Sequence, residues 1–354
     1  MPTSCRIASP LKTVILGLGR AGWRLHLLPM QQHGGFEIIG VVDPEEDRCQ
    51  EAAQACGAVR YASLDEALKR SDAVLYVVAT PSFSHFEEAG KILRAGRHCI
   101  LEKPMALCLE EAATLVSLAH RNHARLFVHH SLLHQPEFHR LKAVKESRVL
   151  GPLFHIRAFW GGYRRRWDWQ TLKKNGGGQI NNSCSHLFSM LLPLLDSPVV
   201  SLWADCRNIK DAGDAEDHVE INLKTESGLT AVLLISSAMV QKGPRWILAG
   251  KHGTLSSDGK KSQLTYYHGA GLPIPPVIDG AAPGRRYSCE VLDWQKEETL
   301  LSDQPLPPSF HQNVVDVLCH GSEPFITPEC AMEVVRLTEW VHRATNQPTH
   351  PSIT

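Results

Sequence analysis

The stretch Val14 to Gly22, VILGLGRAG, constrains this chain more than any other. Apolar β-formers run into Gly17-x-Gly19-x-x-Gly22, and a helical pattern begins directly after the last glycine. A strand, a tight turn and a helix start in that order form a dinucleotide grip. Gly17 lets the chain turn off the strand, Gly19 leaves room for a pyrophosphate beside the backbone, and Gly22 lets the helix pack close to the sheet. The helix start offers free N–H groups and a positive dipole end. A glycine-rich turn without a ligand is the plain alternative, and two later features speak against it.

The first is Asp43, which ends the apolar run Phe36 to Val42 and lies 21 residues beyond Gly22. A strand-end acid there can accept hydrogen bonds from ribose hydroxyls and repels a 2′-phosphate, so it argues for NAD over NADP. Pro44 reads as a first helical residue and Gly57 as that helix's stop. Ser63-x-x-Glu66 and Ser84-x-x-Glu87 read as capping boxes. Ala73 to Ala79 is a continuous apolar run, as expected for a central parallel strand, broken by Thr80-Pro81 where ligands of open α/β sheets bind. The strand His98 to Leu101 then delivers Glu102-Lys103-Pro104, the second feature.

GLGRAG, VVD, ATPSFSH, AGRHCILEKPMAL and GGGQINNSCSH occur in the order and at about the spacing of the glucose-fructose oxidoreductase, inositol dehydrogenase and rhizopine catabolism (Gfo/Idh/MocA) family, which the chain resembles along nearly its whole length. That resemblance implies cofactor contacts at Gly17, Gly19, Arg20, Ala21, Gly22, Asp43, Thr80, Pro81, His85, Glu102 and Lys103. It implies a catalytic Lys103, often followed in the family by a cis peptide bond to proline. A cation at the end of a Rossmann strand can hold a substrate hydroxyl, stabilise an alkoxide and relay a proton. The glycine run of the family opens a helix carrying Asp and His four residues apart, on one helical face. Here those positions hold Asn182 and His186. An amide orients a hydroxyl but takes no proton, so His186, whose reference pKa is near neutrality, is expected as general base with Lys103.

Other departures concern the substrate. The loop Trp160 to Trp169 interleaves arginines with indoles, and Arg166 and Trp169 are expected to touch a sugar or its anionic substituent. The family often has Asp-Trp-Arg near the nicotinamide, where this chain has Asp168-Trp169-Gln170. It often has Asn and Arg where this chain has Ser131-Leu132-Leu133. His129, His130 and His134 cluster there without an acid or cysteine at ligand spacing, so cleft-lining or solvated histidines are expected and no metal.

These motifs predict an α/β protein with two parts. Residues 1–133 form a Rossmann doubly wound parallel sheet. Residues 134–309, where the pattern turns to period two after Gly151-Pro152, form an α+β domain with a large, mostly antiparallel open sheet. Strands are expected at 154–159, 199–208, 218–223, 229–235, 246–249 and 262–267. One face of that sheet should pack on the helix after Gly178; the other, by the resemblance, makes a homodimer or homotetramer. Residues 310–354 should return to the Rossmann domain as helices spanning 310–319 and 328–345.

The function so implied is hydride transfer between NAD and a secondary alcohol of a sugar, sugar derivative or cyclitol. A lyase or glycosidase with transient oxidation and a non-catalytic NAD-bound sensor stand as alternatives. Lys+Arg and Asp+Glu balance at 37 each, so no global field favours nucleic acid or an anionic membrane. Ten cysteines without a CxxC pair read as free thiols of a reducing compartment. With no apolar leader and no span-length apolar run, a cytoplasmic protein is expected.

Overall fold

The computed structural model describes residues 9–241, 243–269, 274–280, 287–305 and 307–345. Six parallel strands form the first sheet: β1 (Leu11–Leu16), β2 (Phe36–Val42), β3 (Val59–Arg60), β4 (Leu75–Val78), β5 (His98–Glu102) and β6 (Leu126–His129). Their order is β3-β2-β1-β4-β5-β6, which reverses direction between β1 and β4. A doubly wound sheet binds its ligand at that reversal, beyond the carboxyl ends of the strands. All four residues of β4 are buried, because helices cover both of its faces.

Local chemistry sets most boundaries. Ser63 accepts from the amide of Glu66, whose own carboxylate accepts from Ala62, the reciprocal arrangement that starts a helix. At Ser84 the expectation fails: its hydroxyl lies within hydrogen-bond reach of Pro81, Thr80 and Glu88 and caps nothing. Pro44 also stays outside its helix, which runs Glu46–Cys56 after an extended Glu45 whose amide is held by Asp43.

The second sheet has eight strands in the order β14-β13-β12-β11-β7-β10-β9-β8. They are β7 (Leu153–Gly161), β8 (Val199–Arg207), β9 (His218–Thr225), β10 (Thr230–Ser236), β11 (Trp246–Gly250), β12 (Gly253–Ser257), β13 (Lys261–Tyr266) and β14 (Gln295–Leu300). Only the β7/β10 pair is parallel among them. β12 and β14 went unforeseen, since QKEETL at the sheet edge carries no apolar alternation. On the inner face Val219, Ile221, Leu223, Ala231, Leu233 and Ile235 pack against Leu187, Phe188 and Leu191 of the helix Ser185–Leu191.

Two C-terminal helices tie the parts together. Phe310–His320 puts Phe310, Val314, Val315 and Val317 into the core under β1 and β2. Pro328–Thr345 divides its apolar face: Ala331 and Val335 join the Rossmann core, while Val334, Leu337 and Val341 join the core of the second sheet. Among the described residues no helix is long and apolar enough to cross a membrane, and the cysteines are free thiols.

Candidate active site

The glycine turn separates into two kinds of glycine. Gly17 has φ +82°, and a Cβ on it would lie 2.7 Å from the carbonyl of Ala79. A Cβ on Gly22 would overlap the carbonyl oxygen of Gly17. Gly19 has nothing within 4 Å of its would-be Cβ, so its side chain is missing for the sake of open space. The open space lies by the helical turn that begins at Arg20 and Ala21 and continues as the π-helix Gly22–Leu27. Asp43 closes the turn from below. One carboxylate oxygen accepts from the amide of Leu18 at 2.6 Å, the other from Glu45 at 2.9 Å, and Arg48 stands 3.5 Å away.

Past the ends of β5 and β6 the alternation of a strand sorts four side chains onto two faces. Glu102 pairs beside His129 in the register. Both turn toward the helices that carry His26 and His311. There Glu102 Oε1 lies 2.9 Å from His26 Nε2 and 2.7 Å from His129 Nδ1, and His26 Nδ1 lies 3.3 Å from His311 Nε2. The three donor atoms of His26, Glu102 and His129 fall within 4.8 Å of one another, a set that histidines 129, 130 and 134 did not suggest in the sequence. Their spacings are those of hydrogen bonds, and one assignment of tautomers satisfies the chain: His311 donates to His26, and His26 and His129 donate to the carboxylate. Burial pushes the Glu102 carboxyl up, but His129 and His26 together hold it well below its usual range. Burial pushes His26 down, and His311 to about 2. Glu102 therefore keeps its charge here and turns its side chain away from the cleft where the motif placed it.

Lys103 follows on the opposite face. Its Nζ donates to Asn182 Oδ1 at 2.8 Å and to the Asn182 carbonyl at 3.0 Å. Burial lowers its pKa to about 8, against the pull of Glu102 and with help from the charges of Arg20 and Arg166. The peptide bond to Pro104 is cis. His85, expected at the cofactor, is buried beneath this turn, with Nδ1 2.7 Å from the Pro104 carbonyl and Nε2 3.0 Å from that of Thr80. A neutral ring donates only once, and burial pushes His85 down, so the shorter contact to Pro104 is the hydrogen bond. The loop Thr80-Pro81 is tied down at its other end by Thr80 and Ser84 on Glu88.

Asn182 sits in the π-helix Ile180–Cys184 that runs into the helix bearing His186. Glu216, which nothing in the sequence singled out, anchors its start: Oε1 accepts from the Ile180 amide at 2.9 Å, and a Cβ on Gly178 would overlap that carboxylate. From the far side His342 reaches Asn181 Oδ1 at 2.9 Å. Burial and then the Lys103 charge push His186 well below the usual imidazole range. Its ring lies 5.6 Å from that of Trp160, and its Nδ1 is buried without a partner among the described residues. Burial thus brings Lys103 toward neutrality and takes His186 away from it, opposite to the order of the reference values on which His186 is expected as base.

Arg166 lines a small pocket with Gln170, Gln179 and Asn182. It already grips Asp168, at 2.9 Å through Nε and 2.7 Å through Nη2, and Gln170 at 2.6 Å. Trp169 is 41% exposed and does not line that pocket.

Residues 11–130 match the family described as "Oxidoreductase family, NAD-binding Rossmann fold", and residues 138–256 match the "GFO/IDH/MocA C-terminal domain". The chain is 23% identical over 307 residues to the glucose-6-phosphate 3-dehydrogenase of Bacillus subtilis, covering 83% of this chain and 82% of that one. It is 22% identical over 339 residues to the scyllo-inositol 2-dehydrogenase (NADP(+)) of the same organism, covering 94% and 93%. Among solved structures, the NAD-binding protein from Listeria innocua superposes with a TM-score of 0.79 at 28% identity, over 95% of both chains.

Proposed function

The chain belongs to the Gfo/Idh/MocA family of NAD-binding oxidoreductases, and from that premise we propose that it is an NAD-dependent dehydrogenase acting on a secondary alcohol of a sugar, sugar derivative or cyclitol. The relatives named above support that substrate class. The observation that carries the reading is Lys103, brought to a pKa of about 8 and held by Asn182 beside His186.

The residues around the glycine turn fit NAD: open space at Gly19, helical N–H groups beyond it, and a strand-end acid. Bound there, the nicotinamide supplies a hydride acceptor. The chain's own residues handle the proton and the geometry. Lys103, as the free amine, takes the proton from the substrate hydroxyl at Nζ, and as ammonium returns it when a ketone is reduced. Asn182 fixes where that nitrogen stands. His186 is neutral and offers a hydrogen bond to the same oxygen. The pKa near 8 lets one group serve both directions with little cost in proton transfer near neutrality.

We also propose that the protein is cytoplasmic and assembles through the outer face of the second sheet, where Trp203, Val232, Leu234 and Ile247 point away from the core. Incubating the protein with NAD and a panel of sugars, cyclitols and glycosides, and following both NADH absorbance and product mass, tests the activity. Stoichiometric NADH with a ketone product is expected. Product without NADH, or neither, overturns the dehydrogenase reading.

A further inference from the structure

Glu102 and His129, which end β5 and β6, bond to each other; of the two residues that follow them, Lys103 bonds to Asn182 and His130 has no side-chain partner among the described residues. Glu102 lies beside His129 in the register, so Lys103 and His130 follow from adjacent strand ends. His130 is 1% exposed, and neither of its ring nitrogens has a hydrogen-bond partner among the described residues. The Lys103 charge bears on both His130 and His186, and His130 bears on His186, which puts the three within electrostatic reach of one another. A buried imidazole with both nitrogens idle is an unfavourable arrangement unless something polar comes to meet it.

We propose that His130 is a substrate-binding residue of this site, holding the oxygen next to the carbinol that Lys103 serves, so that the site selects a ring carrying vicinal hydroxyls over an isolated secondary alcohol. The proposal rests on the dehydrogenase reading and narrows it. Its physical basis is a match of chemistry and spacing. Burial keeps His130 neutral, so it presents one donor and one acceptor, and a hydroxyl can serve either. A carboxylate or phosphate would find only a single neutral N–H there. Lys103 and His130 come from adjacent strand ends, which suits two oxygens on adjacent carbons. No side chain of the motifs quoted for this chain performs this task, since Asn182 is turned to Lys103.

The NADH-loaded protein is titrated calorimetrically with myo-inositol, glucose 6-phosphate and methyl glucoside, and oxidation of these and of 2-butanol is assayed alongside. The tightest ring binder is then compared with its analogue lacking the neighbouring hydroxyl, in the wild type, His130→Phe and His130→Asn. The wild type is expected to prefer the complete ring by about tenfold or more. His130→Phe should lose that preference through a raised KM at little changed kcat, and His130→Asn, which keeps a donor and an acceptor, should retain part of it. If His130→Phe does not fold, His130→Asn decides, since a structural role leaves its preference at the wild-type value. A preference that survives in either folded variant at full strength, or is absent from the wild type, overturns the proposal. Oxidation of 2-butanol without binding of any ring polyol overturns it while leaving the dehydrogenase reading intact. Neither binding nor oxidation removes both.

Discussion

Lys103 Nζ donates to both oxygens of Asn182, the side-chain Oδ1 at 2.8 Å and the main-chain carbonyl at 3.0 Å. The lysine follows a strand of the first sheet and the asparagine belongs to the helix packed on the second, so this pair spans the two halves of the molecule. A neutral amide holds an ammonium in place without the charge that would pin it as an ammonium. Burial and the charges of Arg20 and Arg166 then outweigh Glu102 and bring the group to about 8.

The first prediction concerns pH. Only the free amine can take a hydroxyl proton, so kcat/KM for oxidation should rise with pH along a limb near 8. Arg166→Met removes one of the charges that depress Lys103, so the limb should move to higher pH. A profile measured across the range in both proteins decides it, and a limb that stays put in the variant places the titrating group elsewhere.

Removing the amine tests its role directly. Lys103→Met should lower kcat by two or more orders of magnitude, which is about 2.7 kcal/mol or more of transition-state stabilisation. The dissociation constant for NADH should change by less than about threefold, since the proposed cofactor grip is the glycine turn and Asp43. Near wild-type turnover with a weakened cofactor would instead make Lys103 a cofactor ligand.

The glycines predict two different failures. Gly22→Ala puts a methyl group into the carbonyl of Gly17, so the protein should lose about 1–3 kcal/mol of stability and melt lower. Gly19→Ala meets nothing in the chain, so its melting temperature should hold while NAD affinity falls. Thermal unfolding with and without NAD separates them, and equal behaviour of the two variants would mean that Gly19 is not where the pyrophosphate approaches.

Cofactor choice rests on Asp43. NAD should bind at least about tenfold more tightly than NADP, roughly 1.4 kcal/mol. Asp43→Asn keeps an oxygen for the Leu18 amide while removing the repulsion, and it leaves Arg48 beside the position of a 2′-phosphate. The preference should shrink or reverse in that variant. Calorimetric titration with both cofactors measures it, and equal affinities in the wild type would refute the assignment.

The fold was legible because its signals are local. Glycine spacing, the apolar run of β4 and the Ser63 capping box each act within a few residues, and each describes its own segment. Asp43, Lys103, Asn182 and His186 were legible as positions for the same reason. What these groups bond to was not. Lys103 meets Asn182 from 79 positions away, and His26, Glu102, His129 and His311 assemble from four separate segments. Neither encounter leaves a mark in either segment alone. The order of the two pKa values was not legible for a related reason: reference values describe groups in water, and burial lowers both Lys103 and His186. It brings the first toward neutrality and takes the second away from it.

The last prediction turns on Asn182. In Asn182→Asp a carboxylate oxygen would replace the amide oxygen 2.8 Å from the Lys103 ammonium. The negative charge favours the charged amine, so the Lys103 pKa should rise and the ascending limb should move above pH 8, with activity at neutral pH falling accordingly. Asn182→Leu removes the side-chain acceptor, so the pKa should fall and the limb should move the other way, with a loss of kcat because the amine is less well placed. A new charge would also raise the pKa of a nearby imidazole, so the direction of the Asp variant alone does not separate Lys103 from His186. His186→Asn does. Burial and the Lys103 charge hold His186 well below the usual imidazole range, so any limb of its own lies on the acid side. The limb near 8 should persist in His186→Asn and move upward again when Asn182→Asp is added. Its disappearance from His186→Asn would return the role of base to the histidine.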